Sequence, residues 1–131
     1  MAEDMELAVQ RLRQGYKAFN RGDFDAAAAL MHPEIEVGRL AEVEQSVKGR
    51  EAVREWMRPV VFERQNVDVQ EMDVRVSAVI VCAVIRGVGR GSGIEVTLEV
   101  FQVWRFRDGL AISLDQFSDR AEAERMVDED Q

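Results

Sequence analysis

Apolar residues near the start of the chain recur at steps of three and four: Met5, Ala8, Val9, Leu12, Tyr16 and Phe19. That spacing lines one helix face and predicts a helix over roughly 3–20. In FNRGDFDAAAALMHPEIEV, residues 19–37, Gly22 can take the left-handed conformation that ends this helix, and Asp23 is a good N-cap for another. The second helix, about 24–31, is short and alanine-rich, so it can lie close to its neighbours, and Pro33 stops it. Ile35 and Val37 alternate with Glu34 and Glu36, the signature of a half-buried strand. Residues 38–48 have no clear period and read as loop. Gly49 then precedes a third helix, REAVREWM, with Val53, Trp56 and Met57 on one face and Pro59 past its end.

From residue 66 the period changes to that of strands: NVDVQEM, VRVSAVIVCAVIR, IEVTLEVFQVWRF and LAISLDQF. GVGRGSG between the second and third, and Asp108-Gly109 before the last, are hairpin signals. Asp119 and Glu122 have capping-box spacing and open a short C-terminal helix. Three helices followed by an antiparallel meander predict an α+β fold, with the helices packed on one face of the sheet. The stretch AVIVCAVI at 78–85 is apolar on both faces, whereas a sheet wet on one side alternates. A second copy of the chain is the economical cover for that face, so the expectation is a homodimer through the sheet.

Composition narrows the partners. The 131 residues are 47% apolar, enough for one domain with a substantial core and too many for disorder. With 17 basic against 25 acidic residues the net charge is −8, and no basic stripe suits nucleic acid or an anionic membrane. AVIVCAVI is too short to span a bilayer, and the acidic start MAEDMELAV is unlike a signal peptide. Cys82 stands alone, which excludes an intrachain disulfide or a cysteine metal cluster and fits a cytoplasmic setting.

Taken in order, FNRGDFDAAAALMHPEIEV, KGREAVREWM, GRGSGIEV, VWRFRDG and FSDRAEA resemble the SnoaL-like branch of the NTF2-like superfamily over about residues 7–127. The resemblance implies a single domain over 1–131: an NTF2-like cone, with three N-terminal helices over the concave face of a curved antiparallel sheet, an internal pocket and usually a dimer. The superfamily includes polyketide cyclases, ketosteroid isomerases, epoxide hydrolases and dehydratases beside modules with no catalysis, so fold does not set function. Ketosteroid isomerases need an aspartate base and an oxyanion hole of tyrosine and protonated aspartate. Anchored on NRGD, those positions fall at Arg39, Gly15 and Gln102, so the chain departs from that mechanism. Gly38 stands where many relatives carry a tryptophan, which should widen that wall.

By the same analogy, Ala111, Ser113, Asp115 and Phe117 of the last strand face the pocket. SnoaL-type cyclases place an acid/base aspartate in this part of the fold, and a carboxyl among apolar walls has its pKa raised into a useful range. Asp115 is therefore the catalytic candidate; the alternative is a solvated strand residue facing the other way. Gln102 lies mid-strand among apolar neighbours and wants a partner, either a substrate carbonyl or Tyr16. Tyr16 could reach a ligand or be tied within the core. Trp56, Phe62, Trp104 and Phe117 could stack a flat ligand or simply pack. His32, the sole histidine, stands at a helix end before proline and reads as a C-terminal cap.

These residues describe a pocket protein for a small apolar molecule, using neither metal nor another cofactor. Proton transfer by Asp115, with Gln102 and Tyr16, would make it an isomerase, cyclase or hydrolase. A non-catalytic ligand-binding or dimerisation module is the alternative.

Overall fold

The computed structural model describes residues 5–40, 43–57 and 62–129. Helix α1 (Met5–Asn20) and helix α2 (Phe24–Ala29) meet at the break seen in the sequence. Gly22 has φ +81°, the left-handed region that glycine enters without a Cβ clash. Asp23 then caps α2, its Oδ1 accepting from the Ala26 N–H at 3.1 Å. Strands β1 (Met31–Leu40) and β2 (Val43–Lys48) follow, then helix α3 (Arg50–Trp56). Strands β3 (Phe62–Val74), β4 (Val79–Gly89), β5 (Glu95–Arg107) and β6 (Leu110–Phe117) form the meander, and helix α4 (Arg120–Glu129) closes the described chain.

The six strands make one sheet in the order β2-β1-β6-β5-β4-β3. Every neighbouring pair is antiparallel except β1 and β6, which run parallel because α3 and the meander intervene between them. Strand β2 occupies part of the stretch that reads as loop from its lack of period. Pairing with β1, rather than an alternating pattern, makes it a strand.

Helices α1, α2 and α3 pack on one face of the sheet. Their Leu12, Ala18, Ala27, Ala28 and Val53 join Val67, Val79, Val81, Val100 and Trp104 in the larger core. Asn20 fastens α1 to the free edge of β3: its side-chain amide donates to the Val67 carbonyl and its carbonyl accepts the Val67 N–H, each at 2.8 Å. This satisfies backbone groups that an edge strand otherwise leaves open.

The opposite face is covered by α4. Ala123 and Val127 lie on Ala78, Ile80, Cys82, Phe101, Val103 and Phe117, a second and smaller core. Arg120 holds the helix there, donating to Glu71 Oε2 at 2.6 Å and to Cys82 Sγ at 2.8 Å. Ala78, Ile80 and Cys82 of the two-sided apolar run are thus covered within the chain by the acidic C-terminal helix, whose apolar face is only two or three residues wide. Beyond α4 the same face carries exposed Arg86, Glu95, Thr97 and Glu99.

Candidate functional site

Between the three N-terminal helices and the sheet lies a cavity of about 490 Å³. Its walls are mostly apolar, from Leu12, Phe19, Leu30, Val37, Val67, Ile85, Phe106 and Leu114 among others. Leu98 and Trp56 stand at its rim, 51% and 36% exposed. Arg11, also in the lining, reaches from α1 to donate to the Gly109 carbonyl in the β5–β6 turn.

The polar groups form a chain. Trp104 donates its indole N–H to the Tyr16 hydroxyl at 2.8 Å. Tyr16 donates in turn to Gln102 Oε1. Gln102 Nε2 donates to Gln116 Oε1 at 2.8 Å. The tyrosine and indole rings meet edge-on, centroids 6.2 Å apart, so the hydroxyl is pinned by packing as well as by hydrogen bonds. Burial pushes the Tyr16 pKa well above its ordinary value, only partly offset by the Trp104 hydrogen bond. The hydroxyl therefore keeps its proton. Gln102, 7% exposed, is the one buried polar or charged residue among those described, and the hydrogen bond to Tyr16 that the sequence raises as one alternative is present.

Asp115 is elsewhere. Opposite Arg105 and Phe106 of β5 stand Ser113 and Ala111 of β6, so Ile112 is an extra residue on one strand, a bulge. Ala111 faces the cavity as expected, but beyond the bulge the facing is reversed: Leu114 and Gln116 point in, and Ser113, Asp115 and Phe117 point out. Phe117, expected to line the pocket, packs in the α4 core beneath the Arg39 guanidinium, 5.5 Å from the ring centroid. Asp115 is opposite Val103, with its carboxylate 3.8 Å from Arg105 and 13% exposed. Gly38 belongs to this outer wall as well. A Cβ there would come within 2.8 Å of Asp115 Oδ1, so the missing side chain makes room for the carboxylate rather than widening the cavity.

The Asp115 pKa is nevertheless raised: desolvation by burial leads, Glu36 adds to it, and Arg105 and Arg39 oppose it. The direction matches the expectation, on the opposite wall. Trp104, Tyr16 and Gln102 come together in the cavity, Trp56 stands half in water at its rim, and the side chain of Phe62 lies outside the described residues. His32 sits in β1 rather than capping a helix, its Nδ1 accepting the Glu34 N–H at 2.9 Å. Gln116 and Arg11 were missed. No pattern in LAISLDQF gives Gln116 away, because the bulge at Ile112 that turns it inward exists only in the pairing with β5. Among the described residues, no group of three or more His, Cys, Asp or Glu is placed to hold a metal ion. No described helix is long and apolar enough to cross a membrane.

A SnoaL-like domain family matches residues 12–114, and the chain belongs to that family. No curated protein matches the sequence significantly. Solved structures of the NTF2-like fold superpose along nearly the whole chain. A proposed polyketide cyclase from Xanthomonas campestris pv. campestris is 22% identical, with a TM-score of 0.76 over 89% of this chain and 93% of its own. SalBIII, an epoxide hydrolase/cyclase-like enzyme with a role in pyran ring formation in salinomycin, is 16% identical, with a TM-score of 0.77 over 87% and 92%. TerC, co-crystallised with polyporic acid, is 18% identical, with a TM-score of 0.75 over 93% and 98%. At these identities the likeness concerns the fold.

Proposed function

We propose that this chain binds a small, largely apolar molecule in the cavity between its N-terminal helices and the inner face of the sheet. The observation that carries the reading is the cavity itself: about 490 Å³, mostly apolar on its walls, with a few polar side chains, Tyr16, Gln102 and Gln116 with the Trp104 indole, and Arg11 and Gln65, in its lining. That combination of size, apolar lining and few placed polar groups is what a small-molecule site requires. The association of TerC with polyporic acid and of SalBIII with pyran ring formation supports the same reading. Asp115 lies across the sheet, and Tyr16 holds its proton against Gln102 with a raised pKa, so neither supports proton transfer within the cavity and the reading is one of binding.

A neutral solvatochromic dye such as Nile red tests this. Wild type should bind it saturably with a blue-shifted emission. Leu98→Arg, at the half-exposed rim, should weaken binding severalfold while circular dichroism and thermal unfolding stay unchanged. Unsaturable binding, or equal affinity in the variant, would remove the cavity as the binding site.

A further inference from the structure

Helix α4 has a slender hold on the outer face. Of its ten residues only Ala123 and Val127 are buried, with Met126 packed beside them. A helix of that length is marginal by itself in water, so its order depends on docking. Its charges work against it as well. Asp128 and Glu129 stand in the last turn, where the backbone dipole is already negative, and the helix brings no basic residue there. The compensating cation comes from another element. Arg75, just past β3, places Nη1 3.6 Å from Asp128 Oδ1 and Nη2 3.8 Å from Glu124 Oε1. It is held ready by Asp73, whose Oδ2 accepts from its Nη2 at 2.8 Å and its Nε at 3.0 Å. At the other end of α4, Arg120 also lies over the Phe101 ring, 5.6 Å from the centroid. Neither α4 nor Arg75 lines the cavity on the far side of the sheet.

From this we infer that α4 is a strap: it opens as a unit, with Arg75 as its clasp, while the helices and cavity on the other face stay in place. Opening bares Ile80, Phe101, Val103 and Phe117 as one apolar strip. It also uncovers Cys82, the chain's sole thiol, which is 6% exposed beside Arg120 of the first turn. Fraying of the last turn alone leaves Arg120 against the thiol, so reaction at Cys82 reports release of the whole helix. The inference concerns the face opposite the cavity and stands independently of the binding reading.

N-ethylmaleimide, a neutral thiol reagent, tests it on the intact chain, with labelling followed by mass. Wild type should label without denaturant, far more slowly than a free thiol but far faster than global unfolding allows. The rate should climb only shallowly with urea below the unfolding transition, because opening one short helix exposes little surface. Val127→Ala should speed labelling by about tenfold, since α4 loses its main apolar anchor. Arg75→Gln should speed it severalfold, and high salt should narrow its gap from wild type. Val53→Ala, in the core on the cavity side, should lower the urea midpoint of tryptophan fluorescence and leave the labelling rate as in wild type. A thiol that stays unlabelled until the chain unfolds, or labelling that rises with Val53→Ala as much as with Val127→Ala, would overturn the strap. So would equal rates in wild type, Val127→Ala and Arg75→Gln, which would trace the reactivity to the Arg120 side chain swinging aside.

Discussion

The two faces of β6 differ more than two sides of one strand usually do. On the inner face Leu114 and Gln116 join a mostly apolar cavity in which Trp104, Tyr16, Gln102 and Gln116 are hydrogen-bonded in sequence. On the outer face, one residue away in sequence, Asp115 sits among Arg105, Arg39 and Glu36 beside the core sealed by α4. The inner face borders open space, while the outer face pairs its own charges and is closed by chain. A raised carboxylate pKa, which would ordinarily mark a reactive site, here marks the closed wall. Perturbed titration reports desolvation, and desolvation occurs on both sides of a buried strand.

The widest separation of the two faces should come from their large aromatics. Trp104→Ala and Phe117→Ala should each destabilise by about 3–5 kcal/mol in denaturant unfolding, since both rings are buried and neither site can collapse fully. The milder pair then divides them. Trp104→Phe should alter binding of an apolar ligand, and Phe117→Leu should leave it as in wild type. A binding defect in Phe117→Leu would mean that the two faces communicate.

A smaller effect is expected where the outer wall is tightest. Gly38→Ala places a methyl against Asp115 Oδ1 and should cost about 1–3 kcal/mol. Combined with Asp115→Ala, which removes the obstructing carboxylate, most of that cost should vanish, a coupling read from a double-mutant cycle. Additive effects would show that Gly38 is needed for its backbone and not for the space it leaves.

The smallest effect concerns pH. A carboxyl whose pKa is raised on folding adds stability that is complete below its ordinary value of 3.8 and lost as pH rises through the raised value. Wild type should therefore gain on Asp115→Asn as pH falls from neutral toward that value, while ligand affinity in the two proteins stays equal. A gap that moves the other way would mean that Arg105 and Arg39 outweigh desolvation. An affinity difference would return Asp115 to the site.

Much of this architecture is local and could be read from local pattern. The break at Gly22 and Asp23, the α1 face from Ala8 to Phe19, the two hairpins and the short C-terminal helix follow from steric preferences and periodicity within a few residues. The family could be read as well, because five stretches in the correct order reflect a whole topology. What the tertiary structure decided was non-local. How much of AVIVCAVI is covered within the chain depends on where a ten-residue helix docks, which its own composition does not state. Which side of β6 carries the site depends on one extra residue, Ile112, whose bulge exists only in its pairing with Arg105 and Phe106 of β5. Side chains alternate with a period of two, so a single inserted residue exchanges the faces of everything beyond it. That exchange put Gln116 in the cavity and Asp115 behind the sheet.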